Sequence, residues 1–173
     1  MTMKSRFPRF NLYLLLLVLT VADGCKTAQQ QHQDRIASTF RLYLEGNPDG
    51  TDSTALIQIA GFELHVNNAP FLDEASVTNA AVVDTRDGGY AIRVQYDRHG
   101  TLILDSVTNE NHGRRLAVFT QYGVGKPEHS RWLAAPYGSP ITDGVLLFTP
   151  LASREESDEI VLGLNNVAKK AHE

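Results

Sequence analysis

The sequence is poor in the residues that announce chemistry. It holds one cysteine, two methionines and one tryptophan in 173 residues. A lone thiol closes no internal disulfide, so Cys25 needs either a partner chain or another role. Six histidines are present, at 32, 65, 99, 112, 129 and 172. None pair at helical i,i+4 spacing with the intervening acid that a zinc protease needs. His99 and His112 frame a helical stretch, and His65 falls on the polar side of a strand pattern, so capping and surface roles fit them better than ligation. Asn47-Pro-Asp-Gly50-Thr-Asp52 lacks the ligand frame and closing Glu of a calcium loop and reads as a turn. Ser139 lacks the second glycine of a nucleophile elbow, and Pro140 after it disfavours the entry into a helix. Gly123-Val-Gly125-Lys126 lacks the Walker pattern. Glu155 and Glu156 are neighbours at a helix start, where they steady the helix and do not face each other as acid and base. Basic residues number 16 against 20 acidic ones, a formal net charge of −4. They are scattered without a stripe, so nucleic acid is not expected as a partner. No metal, no cofactor and no catalytic residue is expected.

One sustained apolar run is present. Met1 to Arg9 carries Lys4, Arg6 and Arg9 with no acid, and Leu12 to Val21 follows with hardly a polar residue. About ten residues is half of the ~20 a helix needs to cross the hydrocarbon core, but it suits the centre of an export signal. Ala22, Asp23, Gly24 and Cys25 come next. This order fits a cleaved leader with an incidental cysteine, an uncleaved anchor, or a lipidated N-terminus. Gly24-Cys25 resembles the lipobox of bacterial lipoproteins, although Ala22 and Asp23 stand where that family has Leu and a small neutral residue. The resemblance implies that residues 1–24 are a signal peptide and that Cys25 is the lipid acceptor and new N-terminus. The partner through that lipid is the membrane. Lys26, in place of the Asp that resembles an inner-membrane retention signal, implies the outer membrane if the envelope is Gram-negative. One acyl chain alone binds a membrane marginally, and several hold firmly.

Lys26 to Asp34 reads KTAQQQHQD. A stretch so polar buries too little surface to offset its ordering entropy, so residues 25–35 are expected to be a flexible tether. Residues 36–173 then form one domain. Ile36 to Glu45 alternates as a strand, with Phe40, Leu42 and Leu44 on one face. Ala55 to Ile59 and Phe62 to Val66 are strand-like around Gly61. Ala80 to Arg86 and Tyr90 to Tyr96 flank Asp87-Gly88-Gly89, a hairpin signal. Asp97 caps a helix over Thr101 to Asn111, stopped by Gly113. Arg115 to Gln121, Trp132 to Ala135 and Val145 to Thr149 complete the strands. Ser153-Arg-Glu-Glu156 is a capping box. It opens a helix whose apolar face runs through Ile160, Leu164 and Val167, with Val161 and Ala168 beside it. Lys169 and Lys170 suit its C-terminal dipole. The expected fold class is α+β, a mostly antiparallel β-sheet with two α-helices packed on one face.

Several of these segments, in order, resemble the head subdomain of the periplasmic part of SecD and SecDF, accessory proteins of bacterial protein export. They are Gly88 to Gln95; then Gly100, Val107-Thr108, Asn111 and Gly113 to Val118; then Ala135-Pro136 with Ile141 to Gly144; and finally Ser153 to Leu164. The likeness covers roughly residues 60–170. Gln121 to Ser130 is longer than the family's turn at that place, and the transmembrane helices that carry the family's charged residues have no counterpart. The resemblance implies the head's fold and a role in contacting unfolded chains, and it implies nothing about proton-coupled transport.

The expected function is that of a non-catalytic protein- or peptide-binding or envelope-assembly module, linked to protein export, in the cell envelope and facing the periplasm. Extended polypeptide or envelope proteins are the expected partners. Edge strands accept such chains through the main chain. Candidate contact residues are Trp132 and Tyr137, which bracket Pro136, together with the loop from Gly123 to Ser130. Buried packing is the plainer role for two such aromatics. The competing readings are an envelope enzyme whose active site is not recognisable from sequence, and a structural lipoprotein without a ligand.

Overall fold

The structure is a computed structural model that describes residue 33 and residues 36–48, 53–123 and 129–171. Cys25, the leader and nearly all of the expected tether lie outside the described residues. The elements belong to one compact unit, Asp34–Glu173. In chain order they are β1 (Ser38–Leu44), β2 (Thr54–Ile59), β3 (Phe62–Asn67), a 3-10 turn (Glu74–Ser76), β4 (Val77–Asp84), β5 (Tyr90–Tyr96), α1 (Arg98–Glu110), β6 (Leu116–Tyr122), β7 (Ser130–Ala134), β8 (Val145–Phe148) and α2 (Arg154–Ala171).

The fold is α+β, with its strands divided among three antiparallel sheets. These are β1-β6-β7, β4-β5-β8 and the β2-β3 hairpin. Both helices sink their apolar stripes into one large core. Leu104 of α1 and Ile160, Val161 and Leu164 of α2 meet Phe40, Leu42, Ile92, Val94, Val118, Leu133 and Phe148 there. Each such side chain withdrawn from water contributes about 1.5–3 kcal/mol.

Helix α1 begins at Arg98, one turn before the apolar period becomes visible at Thr101. The Asp97 carboxylate accepts the Gly100 N–H at 2.7 Å, so the first turn is set by the cap and not by apolar spacing. The capping box of α2 forms as its sequence predicts. The Glu156 N–H donates to Ser153 Oγ at 3.2 Å, and the Ser153 N–H donates back to Glu156 Oε2 at 2.9 Å. Val167, expected on the apolar face, is half-buried at its margin, while Ser157 and Ala168 are buried.

A second, smaller core lies on the other face of β1-β6-β7. It joins Ile57, Ile59, Leu64 and Val66 of the hairpin to Ala117, with Tyr43, Phe62, Trp132 and Ala135 packed around it. β6 is therefore buried on both faces, which is why Leu116-Ala-Val-Phe reads as a continuous apolar run and not as an alternation. Leu116 and Val118 turn to one side, Ala117 and Phe119 to the other.

Exposed strand edges invite unwanted pairing, and several edges here have partners. Phe71, Leu72 and Glu74 pair with the outer edge of β1. The Leu42 N–H donates to Leu72 O, the Phe71 N–H to Leu42 O, and the Phe40 N–H to the Glu74 carboxylate. On β4 the Asn165 side chain of α2 acts as a short strand. Its Oδ1 accepts the Ala80 N–H at 2.8 Å and its Nδ2 donates to Ala80 O at 2.9 Å. Past β8, the Leu151 N–H donates to Leu133 O of β7.

Candidate functional site

Among the described residues, the edge of β2 is not covered in this way. β2 pairs there with β3 alone, in a register that runs from Ile59↔Phe62 to Thr54↔Asn67. Ala60 and Gly61 turn the hairpin with φ of 50° and 82°. Two successive positive φ values mark the tight turn whose twist suits paired strands, and they make Ile59 and Phe62 the first hydrogen-bonded pair. The pairing then alternates. Ile57 and Ala55 bond to β3, while the main-chain groups of Gln58, Leu56 and Thr54 point outward. Two further bonds agree: Ser53 O accepts the Asn68 N–H, and His65 O, opposite Leu56, turns away to accept the Gly46 N–H. Leu56, in the middle of this edge, is 54% exposed. A large exposed aliphatic side chain on a strand edge is what native sheets usually avoid.

Beside this edge the surface dips. Three shallow openings of about 460, 590 and 350 Å³ share the hairpin tip, Ile59 and Ala60. The second runs from Gln58 to Arg131, Trp132 and Leu151. The third is floored by Phe62, Ala134, Ala135, Pro136, Phe148 and Leu151, with Arg115 in its wall. Ala60 holds the rim in the left-handed region, where an L-residue with a Cβ pays about 1–2 kcal/mol.

The two aromatics singled out in the sequence both come to this region, in different roles. Trp132 is half-buried and packs edge-on against Tyr43 at 5.2 Å and Phe119 at 5.1 Å. It is a wall of the second core with one side toward the groove. Tyr137 is 64% exposed and lies over the guanidinium of Arg115, 3.9 Å from Cζ to the ring centre. Of the Gly123 to Ser130 loop, residues 124–128 lie outside the described residues.

Arg115 was not visible as a site residue. Its Cζ lies over the Tyr137 ring and also over the ring of Phe62, 4.8 Å from that ring's centre. Nη1 donates to Ala135 O and Nη2 to the Tyr137 hydroxyl, both at 2.8 Å. Its main-chain N–H donates to the Glu45 carboxylate at 2.7 Å. Phe62 and Tyr137 approach it from distant points of the chain, so no local pattern marks it.

The titratable cluster nearest the groove is structural. Glu156 accepts from the Tyr122 hydroxyl at 2.9 Å and from Arg131 at 3.0 Å, besides its capping bond. The Ser153 N–H, then Tyr122 and Arg131, hold its carboxyl below the ordinary 4.5. Burial, followed by Glu156 itself, raises the Tyr122 phenol. Burial also raises Tyr96 well above its usual range, inside the large core. Among the described residues no three His, Cys, Asp or Glu side chains are grouped to hold a metal ion. Among the same residues no helix is long and apolar enough to cross a membrane.

No protein-family model matches the chain, and no curated protein matches it. Solved structures do. One, described as a membrane component SecDF that enhances protein export, aligns with a TM-score of 0.57 at 20% identity over 83% of this chain and 70% of its own. A second, SecDF in a super-membrane-facing form, aligns with a TM-score of 0.56 at 20% identity over 83% of this chain and 21% of its own. At that identity the likeness establishes the fold. The order of segments that resembled the SecDF head in the sequence corresponds to a SecDF-like fold in space.

Proposed function

We propose that this chain is a lipid-anchored, non-catalytic module of the bacterial cell envelope that holds extended polypeptide segments, in the service of protein export. The observation that carries the proposal is the uncovered β2 edge beside a groove with an apolar floor. An incoming strand would pair its main chain with Thr54, Leu56 and Gln58 whatever its sequence. Its inward side chains would rest on Ile59, Trp132 and Leu151. Covered edges on β1 and β4 support the reading, because the described residues protect those edges and leave this one uncovered. The SecDF-like fold supports the link to export by fold analogy. Cys25 is the acyl acceptor that would hold the domain at the outer membrane, facing the periplasm. Trp132 and Tyr137 serve the groove, the first as wall and the second as a cover over Arg115.

The test places a photo-crosslinking residue at Gln58 on the edge, and separately at Leu102, an exposed position on α1. In intact envelopes the Gln58 probe is expected to capture unfolded or newly exported chains and the Leu102 probe is not. Equal capture at both positions, or none at Gln58, refutes the assignment.

A further inference from the structure

We infer that the groove selects extended segments bearing a carboxylate, which Arg115 receives. This inference rests on the polypeptide-binding reading and adds a chemical preference to it.

The groove's two arginines are not equivalent. Arg131 at one end is already neutralised, with Nη1 3.1 and 3.0 Å from the two carboxylate oxygens of Glu156. Among the described residues, no carboxylate forms an ion pair with the Arg115 guanidinium; the ion pairs there join Arg131 to Glu156 and Arg154 to Asp84. A guanidinium carries five N–H donors. At Arg115 two bonds are made, to Ala135 O and to the Tyr137 hydroxyl, both neutral acceptors. Its Cζ lies over the rings of both Phe62 and Tyr137, and the donors not used in these two bonds remain for an incoming acceptor. Caging of this kind holds the planar fork in one pose, so little side-chain entropy remains to be lost when a carboxylate docks. A planar donor fork fits the two oxygens of a carboxylate better than any neutral acceptor. The floor next to it is apolar, from Ala134 through Pro136 to Phe148. The complementary occupant is therefore an extended segment with apolar side chains and one acidic group, either a Glu or Asp side chain or a terminal carboxylate.

Binding of two fluorescent ten-residue peptides to the full-length chain tests the inference. Both alternate Val and Thr with amidated ends; one has a central Glu and the other a central Gln. The Glu peptide is expected to bind roughly three- to tenfold tighter, the range between an exposed ion pair and a well-formed charge-assisted bond. The preference is expected to shrink in high salt, to vanish in Arg115→Met, and to persist in part in Arg115→Lys. A third peptide, with the Gln core and a free C-terminal carboxylate, shows whether a chain end serves as well as a side chain. Equal binding of the Glu and Gln peptides to the wild type overturns the carboxylate preference and leaves polypeptide binding standing. A preference that survives in Arg115→Met overturns the assignment to Arg115. Failure of both peptides to bind overturns the binding reading and this inference with it.

Discussion

Of the glycines, Gly163, where the start of β1 crosses α2, is the one at which an added Cβ would meet main-chain atoms most closely, and it yields a sharp prediction for Gly163→Ala. In the interior of an ordinary helix, this change stabilises by about 1 kcal/mol, because alanine has less backbone entropy to lose. Here a Cβ on residue 163 would lie 2.1 Å from Ser38 Oγ, 2.8 Å from Ser38 N and 2.9 Å from the carbonyl carbon of Ala37. The hydroxyl can rotate away. The two main-chain atoms cannot, because β1 is paired with β6 from Ser38↔Tyr122 onward, and the Asn166 side chain donates to Ile36 O just upstream. Either α2 lifts from the core or the end of β1 moves. Overpacking of this kind costs about 3 kcal/mol at the upper end of its usual range. Setting that against the helix gain leaves a net loss of about 2 kcal/mol. For a chain of this size, the melting temperature would fall by about 4–8 °C. Thermal unfolding followed by circular dichroism measures it. Adding Ser38→Ala is expected to recover only part of the loss, since it removes one of the three contacts. A Gly163→Ala protein as stable as the wild type, or more so, would refute the close-crossing argument.

Three other outcomes are expected. Asn165→Ala strands both main-chain groups of Ala80, which is 3% exposed, and should cost about 2–4 kcal/mol in denaturant unfolding; no measurable loss would show that Asn165 does not cover the β4 edge. Glu156 has its folded pKa lowered, so its contribution is complete above the ordinary 4.5 and is lost as pH falls from there through the lower folded value. Glu156→Gln should therefore be less stable by about 1 kcal/mol at pH 7, a capping-scale loss, and the two stability curves should draw together as pH falls below 4.5 through the lower folded value; parallel curves would contradict the assignment. Cys25→Ser should abolish fatty-acid labelling and leave unprocessed precursor, and normal labelling of that variant would remove the lipid anchor from the account.

The parts of this fold readable in the sequence are those set by neighbours in the chain. The capping box at Ser153–Glu156, the Asp97 cap and the Gly88-Gly89 hairpin each depend on side chains within a few residues of one another. Period-two alternation found Phe62-Glu-Leu-His-Val66 for the same reason. β4 was read from Ala80 although it begins at Val77, because Thr78 and Asn79 interrupt the alternation where its pairing with β5 shifts register, between Val77 and Asn79. Invisible were contacts between distant segments. Asn165 covers Ala80 from 85 residues away, and Arg115 is caged by rings from two other segments. Trp132 was legible as a packed aromatic but not as the seam between a second core and a groove. The exposed β2 edge could not be read from its own residues, because whether an edge is covered depends on what the rest of the chain brings to it.

The most direct test of the central claim is the affinity of a Leu56→Pro chain for an extended peptide. Proline at position 56 removes an outward N–H and leaves the bonds of Ile57 and Ala55 to β3 in place, as an edge position allows. If strand addition on β2 is the binding mode, peptide binding should fall at least tenfold while the melting temperature stays within a few degrees of wild type. Undiminished binding by a folded Leu56→Pro protein would contradict it.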